Sequence, residues 1–70
     1  MKVQRGVVST LDGSSATVAA LEEKNYITGA LRVPPWLRDE ERYPEDIVGI
    51  GDRVAYAEFM DGTGIVLGKV

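Results

Sequence analysis

Residues 44–70 read PEDIVGIGDRVAYAEFMDGTGIVLGKV, and the reading of this stretch decides the fold. It holds two apolar runs, at 53–60 and 63–70, with Asp61-Gly62 between them. Asp-Gly flanked by β-forming residues predicts a hairpin, because glycine supplies the positive φ that a tight reversal needs. Gly51-Asp52 is a second turn signal and feeds the first of these strands. The rest of the chain must then supply a surface for the hairpin to cover. The stretch itself carries no catalytic chemistry.

Upstream, residues 2–10 (KVQRGVVST) are β-branched and partly alternating, with Val3, Val7 and Val8 as apolar anchors. Gly6 inside that run marks either a bulge or a close approach of another backbone. Leu11-Asp12-Gly13-Ser14 predicts a turn, and residues 15–21 (SATVAAL) a second strand, being too few for a stable helix. Glu22-Glu23-Lys24-Asn25 reads as a loop ending in an asparagine that tolerates the left-handed conformation. Residues 26–33 (YITGALRV) predict a third strand with Ile27, Gly29, Leu31 and Val33 on one face.

Pro34-Pro35 then ends the ladder, since proline lacks the donor, and Trp36-Leu37 follows as an apolar pair. Residues 38–46 (RDEERYPED) form a charged loop with room for one helical turn, and Ile47, Val48 and Ile50 return the chain to the body. Five short strands with turns at this spacing, and no convincing helix, predict one all-β domain over residues 1–70. The expected form is a small five- to six-stranded antiparallel barrel, OB-like or SH3-like. In Val54-Ala55-Tyr56-Ala57 and Ile65-Val66-Leu67 both strand faces are apolar or small, whereas a half-solvated strand alternates with polar residues. That pattern fits either an approaching subunit or cover by the Trp36 loop.

Composition narrows the function. The chain has 70 residues, 44% of them hydrophobic, so a packed core is expected at a size where one core is barely sufficient. It has no cysteine to form a disulfide or thiolate metal site, and a chain this small without such staples often gains stability by association between copies. Net charge is −3, and the eight basic residues are scattered singly from Lys2 to Lys69. Nucleic-acid binders present a basic face, so nucleic acid is not the expected partner. No apolar run approaches membrane-spanning length, and MKVQRGVV is too polar and short for a signal peptide; the expected place of synthesis is the cytoplasm.

With no histidine and no cysteine, the usual general bases and thiol nucleophiles are missing, and Ser9, Ser14 and Ser15 have no base to activate them. Asp39, Glu40, Glu41, Glu45 and Asp46 lack calcium-loop spacing and are interleaved with Arg38 and Arg42, the pattern of a solvated, self-paired loop. Asp61-Gly62-Thr63-Gly64 lacks the Asp-Thr-Gly order of an aspartic protease and the lysine of a phosphate loop. No enzyme, cofactor or metal site is expected. Trp36, Tyr26, Tyr43, Tyr56 and Phe59 could stack on single-stranded nucleic acid, but no run of basic residues accompanies them to pair the phosphates, and the chain is acidic overall. Trp36, behind two prolines, reads as a core plug or as an anchor for a partner.

Residues 51–68, GDRVAYAEFMDGTGIVLG, resemble the closing strands of OB-type modules in contractile-tail phage proteins, the baseplate-spike and VgrG-like proteins and those of phage-tail-like particles. Arg5-Gly6-Val7-Val8 supplies that family's early G-x-V, residues 31–37 its middle strand running into a Pro/Trp segment, and Gly64 to Gly68 its G-x-V-L-G. Tyr56 stands where the family's x-G-D-x-V-x-V has its last valine. The resemblance implies a structural subunit of a phage virion or phage-derived particle, one that contacts other tail proteins and copies of itself, commonly as a trimer. The family's C-terminal β-helix and His-rich tip are missing from this sequence, which turns the expectation from spike to tail-hub or baseplate adaptor, or to capsid decoration. The expected contact residues are Trp36, Leu37, Ala55, Ala57 and Phe59. The alternative is a cytosolic OB or SH3-like module that binds nucleic acid or a protein ligand.

Overall fold

The computed structural model describes residues 1–70 apart from Glu40, Tyr43, Glu45 and Asp46. Asp61-Gly62 reverses the chain as the sequence predicts. Arg53–Glu58 and Gly64–Lys69 form antiparallel strands. The Phe59 N–H donates to the Thr63 carbonyl at 2.7 Å and the Gly62 N–H to the Phe59 carbonyl at 3.2 Å. Gly62 sits at φ 87°, so the reversal is a three-residue hairpin loop closed by a left-handed glycine.

The first hairpin is tighter. Lys2–Asp12 (β1) and Ser15–Ala20 (β2) are joined by Gly13-Ser14, with Gly13 at φ 58°, the first-position glycine of a type II′ turn. Leu31–Arg32 is β3, and Arg53–Glu58 and Gly64–Lys69 are β4 and β5. The strands close into a barrel in the order β1-β2-β3-β5-β4, with β4 returning to pair with β1 from Lys2↔Glu58 to Val7↔Arg53. Every pairing is antiparallel except β3 with β5, which meet in parallel at Arg32↔Ile65. This is the strand order of a small OB-like barrel.

Alternation along the strands fills the interior. Val8, Ala16, Val18, Leu31, Val33, Val54, Tyr56 and Val66 form the core, and Leu11 packs against it. Gly6 allows the barrel to curl. A Cβ there would lie 2.3 Å from Val18 Cγ1 and 2.6 Å from the Ala19 carbonyl oxygen, so the glycine marks a close approach. The bulge in β1 falls later, between Val8 and Thr10.

The third strand is shorter than the sequence predicts. Between Ala16↔Leu31 and the isolated Ala19↔Ile27 bridge there are three steps along β2 and four along the opposing chain. One extra residue flips the side-chain alternation. Leu31 and Val33 are therefore buried as expected, while Ile27 and Gly29 are exposed and Thr28 turns inward. Thr28 makes its own substitute for a ladder: its N–H donates to the Val18 carbonyl at 2.9 Å, and its Oγ1 accepts the Val18 N–H at 3.0 Å.

The segment between β3 and β4 stoppers one end of the barrel. Pro35–Leu37 forms a single 3₁₀ turn, and Leu37 and Val48 join the core. The Val48 N–H donates to the Leu37 carbonyl at 3.1 Å. Val8 and residues 51–52 are stitched by two backbone bonds of 2.9 Å, and the Asp52 carboxylate accepts the Gly49 N–H at 2.7 Å. In the charged loop, Asp39 Oδ1 accepts the Arg42 N–H at 3.1 Å; the expectations for Glu40, Tyr43, Glu45 and Asp46 lie outside the described residues.

Candidate functional site

The residues singled out from the sequence fall in three places. Trp36 lies at the middle of the 3₁₀ turn and is 51% exposed, whereas Leu37 beside it is 3% exposed and belongs to the core. A 3₁₀ turn rotates successive side chains by about a third of a turn, so the pair splits, one inward and one outward. Leu37 is thus placed as part of the core and presents almost no surface in the single chain. Trp36 is held from both sides: two prolines precede it, and the Arg38 guanidinium Nε donates to the Val33 carbonyl at 2.9 Å. The indole is presented on a stiff platform.

Ala55 and Ala57 occupy the outward positions of β4, alternating with inward Val54 and Tyr56. Ala57 stands in register between Val3 on β1 and Ile65 on β5 and is only 3% exposed, so it forms the floor of this face and offers little contact surface itself. Ala55 is half-buried between Arg5 and Gly68. Val3 and Leu67 remain about half exposed, so the Trp36 segment leaves this face open and covers the barrel's end instead. Val3, expected as an apolar anchor, therefore points outward, and Leu67 belongs to the two-faced apolar pattern of the sequence; neither was among the expected contact residues. Their signal was present as apolar residues at outward positions of β1 and β5.

Phe59 is 43% exposed in the β4–β5 loop, next to Met60, which at 99% is the most exposed large apolar side chain described. With Met1, Lys2 and Glu58 they line a shallow hollow of about 260 Å³. This end, where β1 starts and β4 finishes, lies opposite the end closed by Leu37 and Val48. Trp36 and Phe59 therefore belong to separate surfaces at the two ends of the barrel.

A second hollow, of about 220 Å³, is lined by Thr10, Asp12, Ser15, Ala16, Thr17 and Ala30. Both hollows are smaller than the usual small-molecule site. The Thr10 and Thr17 hydroxyls bond each other at 2.6 Å in this hollow. Among the described residues no three acidic side chains gather as a metal site, and no helix is long and apolar enough to cross a membrane.

Among the described residues the perturbed ionisable groups are Tyr26, Tyr56 and Asp61. The Tyr26 hydroxyl donates to Glu58 Oε2, and this bond to a carboxylate holds the phenol above its ordinary pKa. Burial raises that of Tyr56, with the Glu58 and Glu22 charges adding to it. Asp61 lies below the usual carboxylate range, because its Oδ1 accepts the Thr63 hydroxyl at 2.6 Å and the Thr63 N–H at 3.0 Å. The Tyr26 bond ties a loop to the end of β4, and the Asp61 bonds close the β4–β5 loop on itself.

No protein-family model, curated protein or solved structure matches the chain.

Proposed function

We propose that this protein is a non-enzymatic structural subunit of a phage or phage-derived particle, a tail-hub or baseplate adaptor or a capsid decoration, that works by protein–protein assembly. The observation that carries the reading is Trp36: an exposed indole on a rigid prolyl turn, locked from beneath by Leu37. Tryptophan so held loses little freedom on docking and is among the residues most often dominant at interfaces. Further support comes from the open outer face around Ala55 and from Phe59 and Met60 at the opposite end. Contact surfaces at two ends suit a part that joins neighbours. The OB-like strand order agrees with the resemblance of residues 51–68 to phage-tail modules, although a fold alone does not assign a function.

In this reading the partners are other virion or tail proteins and further copies of the chain, with a trimer favoured, and the protein is made in the host cytoplasm and resides in the particle. The test is absolute molar mass by light scattering over a wide concentration range. A stable trimer or larger ring that is lost in Ala55→Glu is the expected result. A monomer at every concentration that is retained on heparin at low salt and released by added salt would overturn the reading in favour of a nucleic-acid module.

A further inference from the structure

We propose that the β2–β3 loop, residues 21–30, is a latched lid across one end of the barrel that opens without unfolding the rest. The strand order places β2 and β4 on opposite sides of β1, so they are not neighbours. Tyr26 follows β2, yet its hydroxyl donates to Glu58, the last residue of β4. That hydrogen bond spans the barrel's mouth. Two ion pairs fasten the same loop to β1: Lys2 with Glu23, and Arg5 with Glu22 at 3.3 Å.

The core has no share in the loop. None of the clustered core residues comes from residues 21–30, Thr28 is the only buried residue among them, and Leu21 and Ile27 are about half exposed. Opening therefore breaks chiefly polar contacts and withdraws no side chain of the core cluster, which favours local over global unfolding. Exposed ion pairs hold weakly, so the Tyr26 bond to an ionised carboxylate is the principal latch. An open lid frees the Val18 N–H and carbonyl from Thr28, and the Ala20 N–H from the Tyr26 carbonyl, leaving the edge of β2 bare beside a two-residue β3.

The test is residue-resolved amide hydrogen exchange on the full chain. The Ala20 and Thr28 amides, whose bonds run between β2 and the lid, are expected to exchange at least about tenfold faster than that of Val8, which is bonded to Asp52. Tyr26→Phe raises the lid rates by roughly another tenfold and leaves Val8 unchanged. Glu58→Gln, which keeps an acceptor oxygen but loses the charge, gives a smaller rise in the same amides. The proposal is overturned if lid and Val8 amides exchange at one rate, or if either variant accelerates all of them alike.

Discussion

The Tyr56 hydroxyl donates to Gln4 Oε1 at 3.0 Å, joining two residues that are direct register partners on β4 and β1 although 52 positions apart. Among the described residues Tyr56 is the largest fully buried side chain, and this bond satisfies its hydroxyl where the closing seam of the barrel runs. Tyr56→Phe should cost about 1–3 kcal/mol, since Gln4 loses a partner as well. Tyr56→Ala should cost about 3–5 kcal/mol through the cavity it leaves. In urea melts, Tyr56→Phe combined with Gln4→Leu should cost less than the two single changes added together.

Gly6→Ala tests the curl of the barrel. The new methyl would meet the Val18 side chain and the Ala19 backbone at distances no Cβ occupies. Overpacking of this kind costs about 1–3 kcal/mol. Gly13→Ala meets no atom within 4 Å and is penalised only by its positive φ. Thermal melts of the two variants should therefore rank Gly6→Ala well below Gly13→Ala.

Trp36 and Leu37 should separate assembly from stability. Leu37→Ala removes a core side chain and should cost about 2–5 kcal/mol. Trp36→Ala, at an exposed position, should leave the urea midpoint nearly unchanged while weakening association measured by light scattering. A large stability loss in Trp36→Ala with unchanged molar mass would make the indole a packing residue.

Asp61 gives the stability curve an acid limb. Its folded pKa is depressed, chiefly by the Thr63 hydroxyl, so its contribution is complete above the ordinary carboxylate value and is lost as pH falls through the lower folded value. Thr63→Ala removes the hydroxyl and keeps the backbone bond. Denaturant midpoints measured between neutral pH and strong acid should show a shallower acid limb in Thr63→Ala.

At the alkaline end the sign reverses. The folded pKa of Tyr26 is raised by its bond to Glu58, so that bond's contribution is complete below the ordinary tyrosine value and is lost as pH rises through the raised one. Tyr26→Phe should reduce the alkaline loss of stability, and the spectrophotometric titration of the variant should lack one late-ionising phenol.

Turn chemistry made most of the barrel legible. Asp12-Gly13, Gly51-Asp52 and Asp61-Gly62 all reverse or redirect the chain with glycine at positive φ, and Asn25 takes the left-handed conformation at φ 63°. Each of these is a local demand that only a few residue types meet. The third strand was legible only in its second half, because the one-residue slip before Leu31 depends on Thr28 bonding to Val18, a tertiary event. The parallel meeting of β3 with β5 was hidden for a similar reason, since it joins strands far apart in the chain and no local signal marks it. For the candidate contacts, composition marked Trp36-Leu37 as important but not which of the two faces solvent. Adjacent apolar residues carry no period, and the 3₁₀ turn makes that choice.

The pairing of β1 with β4, from Lys2↔Glu58 to Val7↔Arg53, also sets a timetable for the chain as it leaves the ribosome. The β1–β2 hairpin emerges early and can form by itself. The other edge of β1 must wait, bare, until residues 53–58 are out, and the Leu37 stopper has nothing to close until then. Folding is therefore a late event dominated by contacts between distant parts of the chain, which makes it slow for so small a protein. During that wait, nascent copies on one messenger present the same unpaired edge to one another. Crowded translation is thus the stage at which this protein is most exposed to pairing with the wrong strand.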